Sequence, residues 1–381
     1  MPDVFGPVAI NRLRLPNRFV RSATYEGLAA EDGRVTDALV SLYEELARGE
    51  IGLIVVGYAY IQPNGKGGPG MLGIWSDEHI EGLARLTEAA HEHGAKIASQ
   101  IVHCGRQTLP DIIGGTPVGP SPVPTARLGV TPRELTVSEI EDIIANFGKA
   151  AARAKTAGFD AVQIHCAHGY LLNQFLAKNS NQRIDTYGGS IEGRARALFE
   201  TYARIRDAVG ADYPVLIKMN CADFVEGGLE LEESLWVAEQ LARMGIDAIE
   251  VSGGVWDTVP DEGRTIQKGV PRRRPEAYFL PHIEKFKKAV GVPVIAVGGI
   301  RVLETAQSIL REGKADLISM CRPFIHEPHL LKRWRSGDLS PAACVSCNRC
   351  LAKTPYEGLK CFGKKGERGP RETRGVASGG S

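Results

Sequence analysis

Residues 139–165 read EIEDIIANFGKAAARAKTAGFDAVQIH, and within them one kind of element gives way to another. Ile140, Ile143, Ile144, Phe147, Ala151 and Ala154 recur at steps of three and four, the period of one apolar face of a helix. That spacing predicts a helix over Glu139 to Ala157, with Ser138 as its N-cap and Gly158 as its stop. Directly behind it, Ala161 to His165 is a short run with the composition of a buried parallel strand. Working outward in both directions, the alternation repeats. The strand candidates are Phe19 to Thr24, Leu53 to Gly57, Lys96 to Val102, Ala161 to His165, Val215 to Met219, Ala248 to Val251, Val294 to Val297, and Leu317 to Met320. Each precedes a segment of helical period. Eight βα units on short connections predict an α/β fold closed into a (β/α)8 TIM barrel, not an open sheet.

Composition narrows the function. Hydrophobic residues are 43% and charged residues 24% of the 381, the balance of a globular chain with a large core. Lys plus Arg number 46 against 45 Asp plus Glu, a net charge of +1, so no global field gathers nucleic acid or a membrane surface. No run of 18 apolar residues or signal-peptide pattern is visible, and a cytoplasmic protein with a small-molecule partner is expected. One connection is long: His103 to Pro132, rich in Pro and Gly, reads as a lid over the barrel mouth. The expected organisation is a barrel over 1–340, a Cys-rich metal-binding module over 341–362 and a disordered basic, Gly-rich tail over 363–381.

In such barrels the functional groups sit at the C-terminal ends of strands. The fourth strand candidate runs into His165-Cys166-Ala167-His168-Gly169-Tyr170. Two neutral imidazoles there can hold a carbonyl oxygen or phenolate, and a phenol can give a proton to carbon. A zinc pair and a purely structural role stand as alternatives for the histidines. Val297-Gly298-Gly299-Ile300 and Met320-Cys321-Arg322-Pro323 close strands seven and eight, where barrels bind phosphate, a tight structural turn being the other reading. Ser22-Ala23-Thr24-Tyr25 ends the first strand with small and hydroxylated groups that let a flat ring lie close. Lys218 and Gln100 point toward the same mouth, where a cation and an amide would meet the edge of such a ring. Gly65 to Gly70 spells G-x-G-x-x-G, but Pro69 keeps it from opening a helix, so it is set aside as a dinucleotide fingerprint.

These residues resemble a known family. His165-x-Ala167-His168-Gly169-Tyr170-Leu171-Leu172-x-Gln174-Phe175-Leu176, then Asn181-x-Arg183-x-Asp185-x-Tyr187-Gly188-Gly189-Ser190, is similar to the signature of old yellow enzyme and its bacterial relatives. Asn17-Arg18-Phe19-Val20 and Gln100-x-x-His103-x-Gly105-Arg106 fall in the family's order, and the resemblance covers about residues 1 to 361. It implies FMN held by Ser22, Ala23, Thr24, Gly57, Gln100, Lys218, Gly298, Gly299, Cys321 and Arg322. It also implies a substrate oxygen anchored by His165 and His168, with Tyr25 beside them and Tyr170 as proton donor. Lys218 departs from the Arg that commonly fills its place, which keeps the charge but not the bidentate fork. The implied activity is an ene-reductase: NADH or NADPH supplies hydride, and an α,β-unsaturated carbonyl compound receives it. Asn181 to Ser190 reads as structural. A homo-oligomer is expected.

Cys344-x2-Cys347-x2-Cys350-x10-Cys361 sets the chain apart from the plain reductases. In a reducing compartment such a group means metal before disulfide. It is similar to the subfamily of dienoyl-CoA reductase and trimethylamine dehydrogenase, which implies a [4Fe-4S] cluster, while four thiolates also suit zinc. The sequence runs 20 residues past Cys361, short of the electron-input domains of that subfamily, so an external electron-donor protein is one expectation and direct reduction by NAD(P)H the other. Trp256 precedes Asp257 where the dienoyl-CoA reductases carry His, which leaves Asp257 a candidate site residue. Demethylation of an amine or ether, and a pure electron-transfer role, are the other readings.

Overall fold

The computed structural model describes residues 3–256 and 276–363; Asp257 and nearly all of the C-terminal tail lie outside them. Eight strands, β1 (Phe19–Arg21), β2 (Leu53–Tyr60), β3 (Lys96–Val102), β4 (Ala161–Cys166), β5 (Val215–Asn220), β6 (Ala248–Ser252), β7 (Val294–Ala296) and β8 (Leu317–Met320), form a closed barrel. Every neighbouring pair is parallel, in the order β6-β7-β8-β1-β2-β3-β4-β5. The expected closure is therefore observed. β1 ends at Arg21, so Ser22 to Thr24 leave the sheet, although the Ser22 N–H still donates to the Met320 carbonyl. β7 likewise stops at Ala296, before Val297.

The helix of residues 139–157 is corrected at its start. It spans Val137–Thr156, and Thr136, not Ser138, is the cap. The Thr136 hydroxyl accepts from the Glu139 N–H while the Glu139 carboxylate accepts from the Thr136 N–H. That reciprocal pair satisfies two otherwise orphaned donors, which a cap at Ser138 would not.

The barrel interior is layered. At its N-terminal end a hairpin of Val8–Ile10 and Leu13–Leu15 acts as a plug, packing Ile10, Leu13 and Leu15 against Val20, Val55 and Leu216. Above this apolar floor lies a polar layer of Gln163, Lys218, Glu250 and Ser319, all buried. The functional end thus begins where apolar packing stops.

Residues 103–132 fold over that end with little regular structure, a short helix at Pro110–Ile113 and one strand pairing between Val118–Gly119 and Arg133–Glu134. Arg183 anchors the base of this excursion, donating to the carbonyls of Pro120 (2.9 Å) and Leu135 (2.6 Å). Asn181 donates to the carbonyls of Phe175 and Tyr187, so the 181–190 motif shapes its own loop. No helix follows the Gly65 to Gly70 run before Ile80–His91 apart from a 3-10 turn at Asp77–His79. Among the described residues no helix is long and apolar enough to cross a membrane.

Candidate active site

A cavity of about 1410 Å³ opens at the C-terminal ends of the strands, larger than most single-ligand pockets. Ser22, Ala23, Thr24, Tyr25, Gln100, His165, His168, Tyr170, Lys218, Gly298, Gly299, Cys321 and Arg322 all line it. The excursion contributes Gln107, Leu109, Ile112 and Arg127, so its expected position over the mouth is the one observed.

The chain leaves β4 through a turn with His168 at φ +63° and Gly169 at φ +81°. A left-handed histidine is uncommon and persists only where its surroundings hold it. Here the His168 N–H donates to Asn220 (3.3 Å) and the Gly169 N–H to Asn173 (2.7 Å). The turn brings the His165 ring to 5.2 Å from His168 and 4.8 Å from Tyr170. His165 Nδ1 accepts the Ala167 N–H, which assigns the proton of the neutral ring to Nε2. His168 Nε2 lies 2.8 Å from the Ser252 hydroxyl. Burial, then the neighbouring His168 and Lys218, hold His165 well below the usual histidine range; burial and Lys218 do the same to His168. Both rings are therefore neutral near pH 7. Burial raises the Tyr170 phenol, so it keeps its proton. The site offers N–H donors for an oxygen and an O–H acid beside them.

Lys218 reaches the cavity tethered. Its Nζ donates to the Ser22 hydroxyl (2.6 Å) and to Glu250 (3.2 Å). Burial alone would raise the Glu250 carboxyl, but Lys218 and hydrogen bonds from Ser22, Gln163 and Ser319 outweigh it and keep Glu250 ionised. Gln163 also accepts from Gln100 (2.7 Å), leaving Gln100 Oε1 buried at the cavity wall without a partner. A buried acceptor without a donor costs free energy, and the N–H of a flat heterocycle would satisfy it. Five cationic side chains, Lys218, Arg127, Arg301, Arg322 and Arg349, line the cavity, and no Asp or Glu does among the described residues. At the phosphate turn, side chains on Gly298 and Gly299 would run into Phe279 and Tyr278. The residues present thus fit a flat ring carrying an anionic phosphate, as FMN does.

Two expectations fare differently. Gly57 does not line the cavity; its N–H is taken by Glu26 (3.0 Å) and the Tyr43 hydroxyl (2.9 Å), and a side chain there would collide with Glu26. Arg322 lines the cavity but donates to Asn348 (2.8 Å), in the loop between Cys347 and Cys350. Of the four clustered cysteines, Cys347 and Cys350 face the cavity. A methyl group built on Gly363 would touch the sulfurs of both Cys347 (3.6 Å) and Cys361 (3.8 Å), and Cys361 lies 3.0 Å from His326 Nδ1. Burial pushes the Cys350 thiol up to about 12, with Cys321 and Cys344 adding to it. The thiols gather, yet among the described residues no three His, Cys, Asp or Glu side chains are arranged to hold a metal ion.

The sequence reading missed Glu250, Gln163 and Tyr58. A polar residue inside a strand candidate was the available signal for the first two. Tyr58 gave none, for a reason that lies in the register of β2.

The family model described as NADH:flavin oxidoreductase / NADH oxidase matches residues 3–339. An NADH oxidase of Thermoanaerobacter brockii is 40% identical over 363 residues, which is 94% of this chain and 55% of that protein. An NADPH dehydrogenase of Geobacillus sp. (strain WCH70) is 36% identical, covering 86% of this chain and 92% of that one. Among solved structures, a 2-naphthoyl-CoA reductase bound to 2-naphthoyl-CoA superposes with TM-score 0.85 at 29% identity, over 91% of this chain and 54% of that one. The chain thus spans about half the length of some curated relatives and nearly the whole of others.

Proposed function

The chain belongs to the NADH:flavin oxidoreductase / NADH oxidase family, the family of old yellow enzyme, and from that premise we propose that it is an FMN-dependent ene-reductase acting on the C=C of α,β-unsaturated carbonyl compounds. FMN, when bound, supplies the hydride chemistry between NADH or NADPH and the alkene. The protein supplies the rest. Ser22, Ala23, Thr24, Gln100 and Lys218 would hold the ring, and Gly298, Gly299 and Arg322 its phosphate, with Cys321 beside them.

The observation that carries the reading is the neutral His165/His168 pair with the protonated Tyr170 in one turn of chain. His165 and His168 hold the carbonyl oxygen and stabilise the negative charge that grows on it in the transition state, a role in which one donor is worth ~3 kcal/mol. Tyr170 gives its proton to the α-carbon. The cation-rich lining speaks against an amine-oxidising alternative, whose substrate would itself be a cation. In the double variant His165→Ala/His168→Ala, FMN should be retained while phenol charge-transfer binding and enone turnover are lost. Retention of both would overturn the assignment.

For residues 341–362 the reading is a four-cysteine metal module of Cys344, Cys347, Cys350 and Cys361. Four sulfur donors suit a [4Fe-4S] cluster, or zinc in its place. Anaerobic purification with iron, sulfide and zinc analysis decides: about four iron and four sulfide per chain supports the cluster. A cluster would carry single electrons to or from the flavin, whereas zinc would be structural.

A further inference from the structure

Tyr58 sits near the end of β2, and the register around it is broken. Val56 pairs with Ser99 and Ala59 with Ile101, so Gly57 and Tyr58 together oppose the single residue Gln100. That is a β-bulge, a device that re-aims side chains at active sites. The bulge is held from below. The Gly57 N–H donates to both Glu26 and the Tyr43 hydroxyl, and Glu26 is itself paired with Arg21 (3.2 Å), all four residues being buried. A buried ion pair under one glycine is a costly support, and what it presents is the Tyr58 ring.

That ring stands among the groups already assigned to chemistry. It is 5.8 Å from His165 and 5.3 Å from Tyr170, with Tyr25 stacked on it at 6.0 Å. The Tyr170 hydroxyl donates to the Tyr58 oxygen at 3.1 Å. Hydroxyl protons rotate, so the same pair can bond in reverse. Reversal frees the Tyr170 proton for the substrate and points the Tyr58 O–H at the Tyr170 oxygen.

Resting on the reading of Tyr170 as the acid, we propose that Tyr58 is a positioning residue for the protonation step, donating a hydrogen bond to the Tyr170 oxygen as that oxygen becomes a phenolate. In the step, the Tyr170 O–H bond breaks and the α-carbon forms a C–H bond with the electron pair of the enolate double bond. The negative charge passes from the enolate to the Tyr170 oxygen, where the Tyr58 O–H meets it. Solvent water returns the proton as product leaves. Burial raises both phenols; within that rise the hydrogen bond between them lowers Tyr170 and raises Tyr58, which is the order this role requires.

The test is a double-mutant cycle on the FMN-loaded enzyme, turning over cyclohexenone with dithionite as reductant. Tyr58→Phe should slow formation of the saturated ketone about tenfold, the worth of one hydrogen bond to a charged group, with FMN content and phenol binding unchanged. In a Tyr170→Phe background the same change should cost nothing further. The solvent deuterium isotope effect on that turnover should also rise in Tyr58→Phe, because proton transfer to the α-carbon becomes more limiting. Equal losses in both backgrounds would show that Tyr58 acts on substrate directly, and no loss in either would show it idle; each overturns the proposal. If Tyr170→Phe alone does not slow the reaction, the assignment of Tyr170 as acid falls first and this role falls with it.

Discussion

At the scale of single residues, burial of histidine is the property with the widest consequences. His165 and His168 stay neutral because the barrel mouth is poorly solvated, and neutrality is what makes them donors without a net charge. His103, at the root of the excursion, is pushed down to about 3 by burial; its Nδ1 accepts the Gly105 N–H and its Nε2 faces Asn64. Below pH 6.5 the unfolded chain takes up a proton at each ring and the folded chain does not, so stability is full above that pH. It then falls as pH drops toward each folded-state value, by ~1.4 kcal/mol per unit for each fully neutral ring. His103→Asn keeps the acceptor and removes the titration. Urea midpoints at pH 7, 6 and 5 should decline less steeply in His103→Asn than in the parent; equal slopes would show that His103 is not neutral in the folded state. These three histidines were all visible in the sequence as motif positions. Their protonation was not, because it depends on how much water the closed barrel admits.

At the scale of elements, periodicity carried the strands and register did not carry over. β3 and β8 occupy the residues expected of them, since short apolar runs between helical segments have few other ways to be buried. The bulge in β2 was illegible, because the strand candidate stopped at Gly57 and only the Glu26 and Tyr43 partners from elsewhere fix the bulge through which the strand runs on to Tyr60. Thr136 and Glu139 form a capping box that the choice of Ser138 overlooked, since a serine just ahead of the apolar run is itself a common cap. The polar layer between β4, β5, β6 and β8 is the strongest element-level dependence. Glu250 on β6 stands opposite Lys218 on β5 and accepts from Ser22, Gln163 and Ser319 as well. Glu250→Ala leaves the Lys218 charge buried without its partner, which should destabilise the barrel by about 3–5 kcal/mol. Glu250→Ala/Lys218→Met removes both charges and should recover most of that loss. Urea unfolding of the two variants measures the difference; a double variant no more stable than the single one would show that the pair is not what holds the layer.

Across the whole molecule, one cavity is shared by two parts of the chain that the sequence presents as separate. The barrel supplies Gly298, Gly299 and Arg322, and the Cys-rich segment supplies Cys347, Asn348 and Cys350 to the same space. The Arg322–Asn348 hydrogen bond joins the two walls at the point where a phosphate would sit. A phosphate arriving there would compete with Asn348 for the guanidinium, and on the proposed reading FMN retention would then depend on the Cys segment even though the strands close without it. Two substitutions should move FMN binding in opposite directions. Asn348→Gly keeps the left-handed backbone at that residue (φ +57°) and removes the competing amide, so FMN should bind more tightly. Cys347→Ser/Cys350→Ser removes two of the four proposed metal ligands and, by loosening the outer wall, should raise the FMN dissociation constant about tenfold, ~1.4 kcal/mol. Fluorescence titration of the apoproteins with FMN reads both. If neither dissociation constant moves, the wall formed by the Cys segment is independent of the phosphate site.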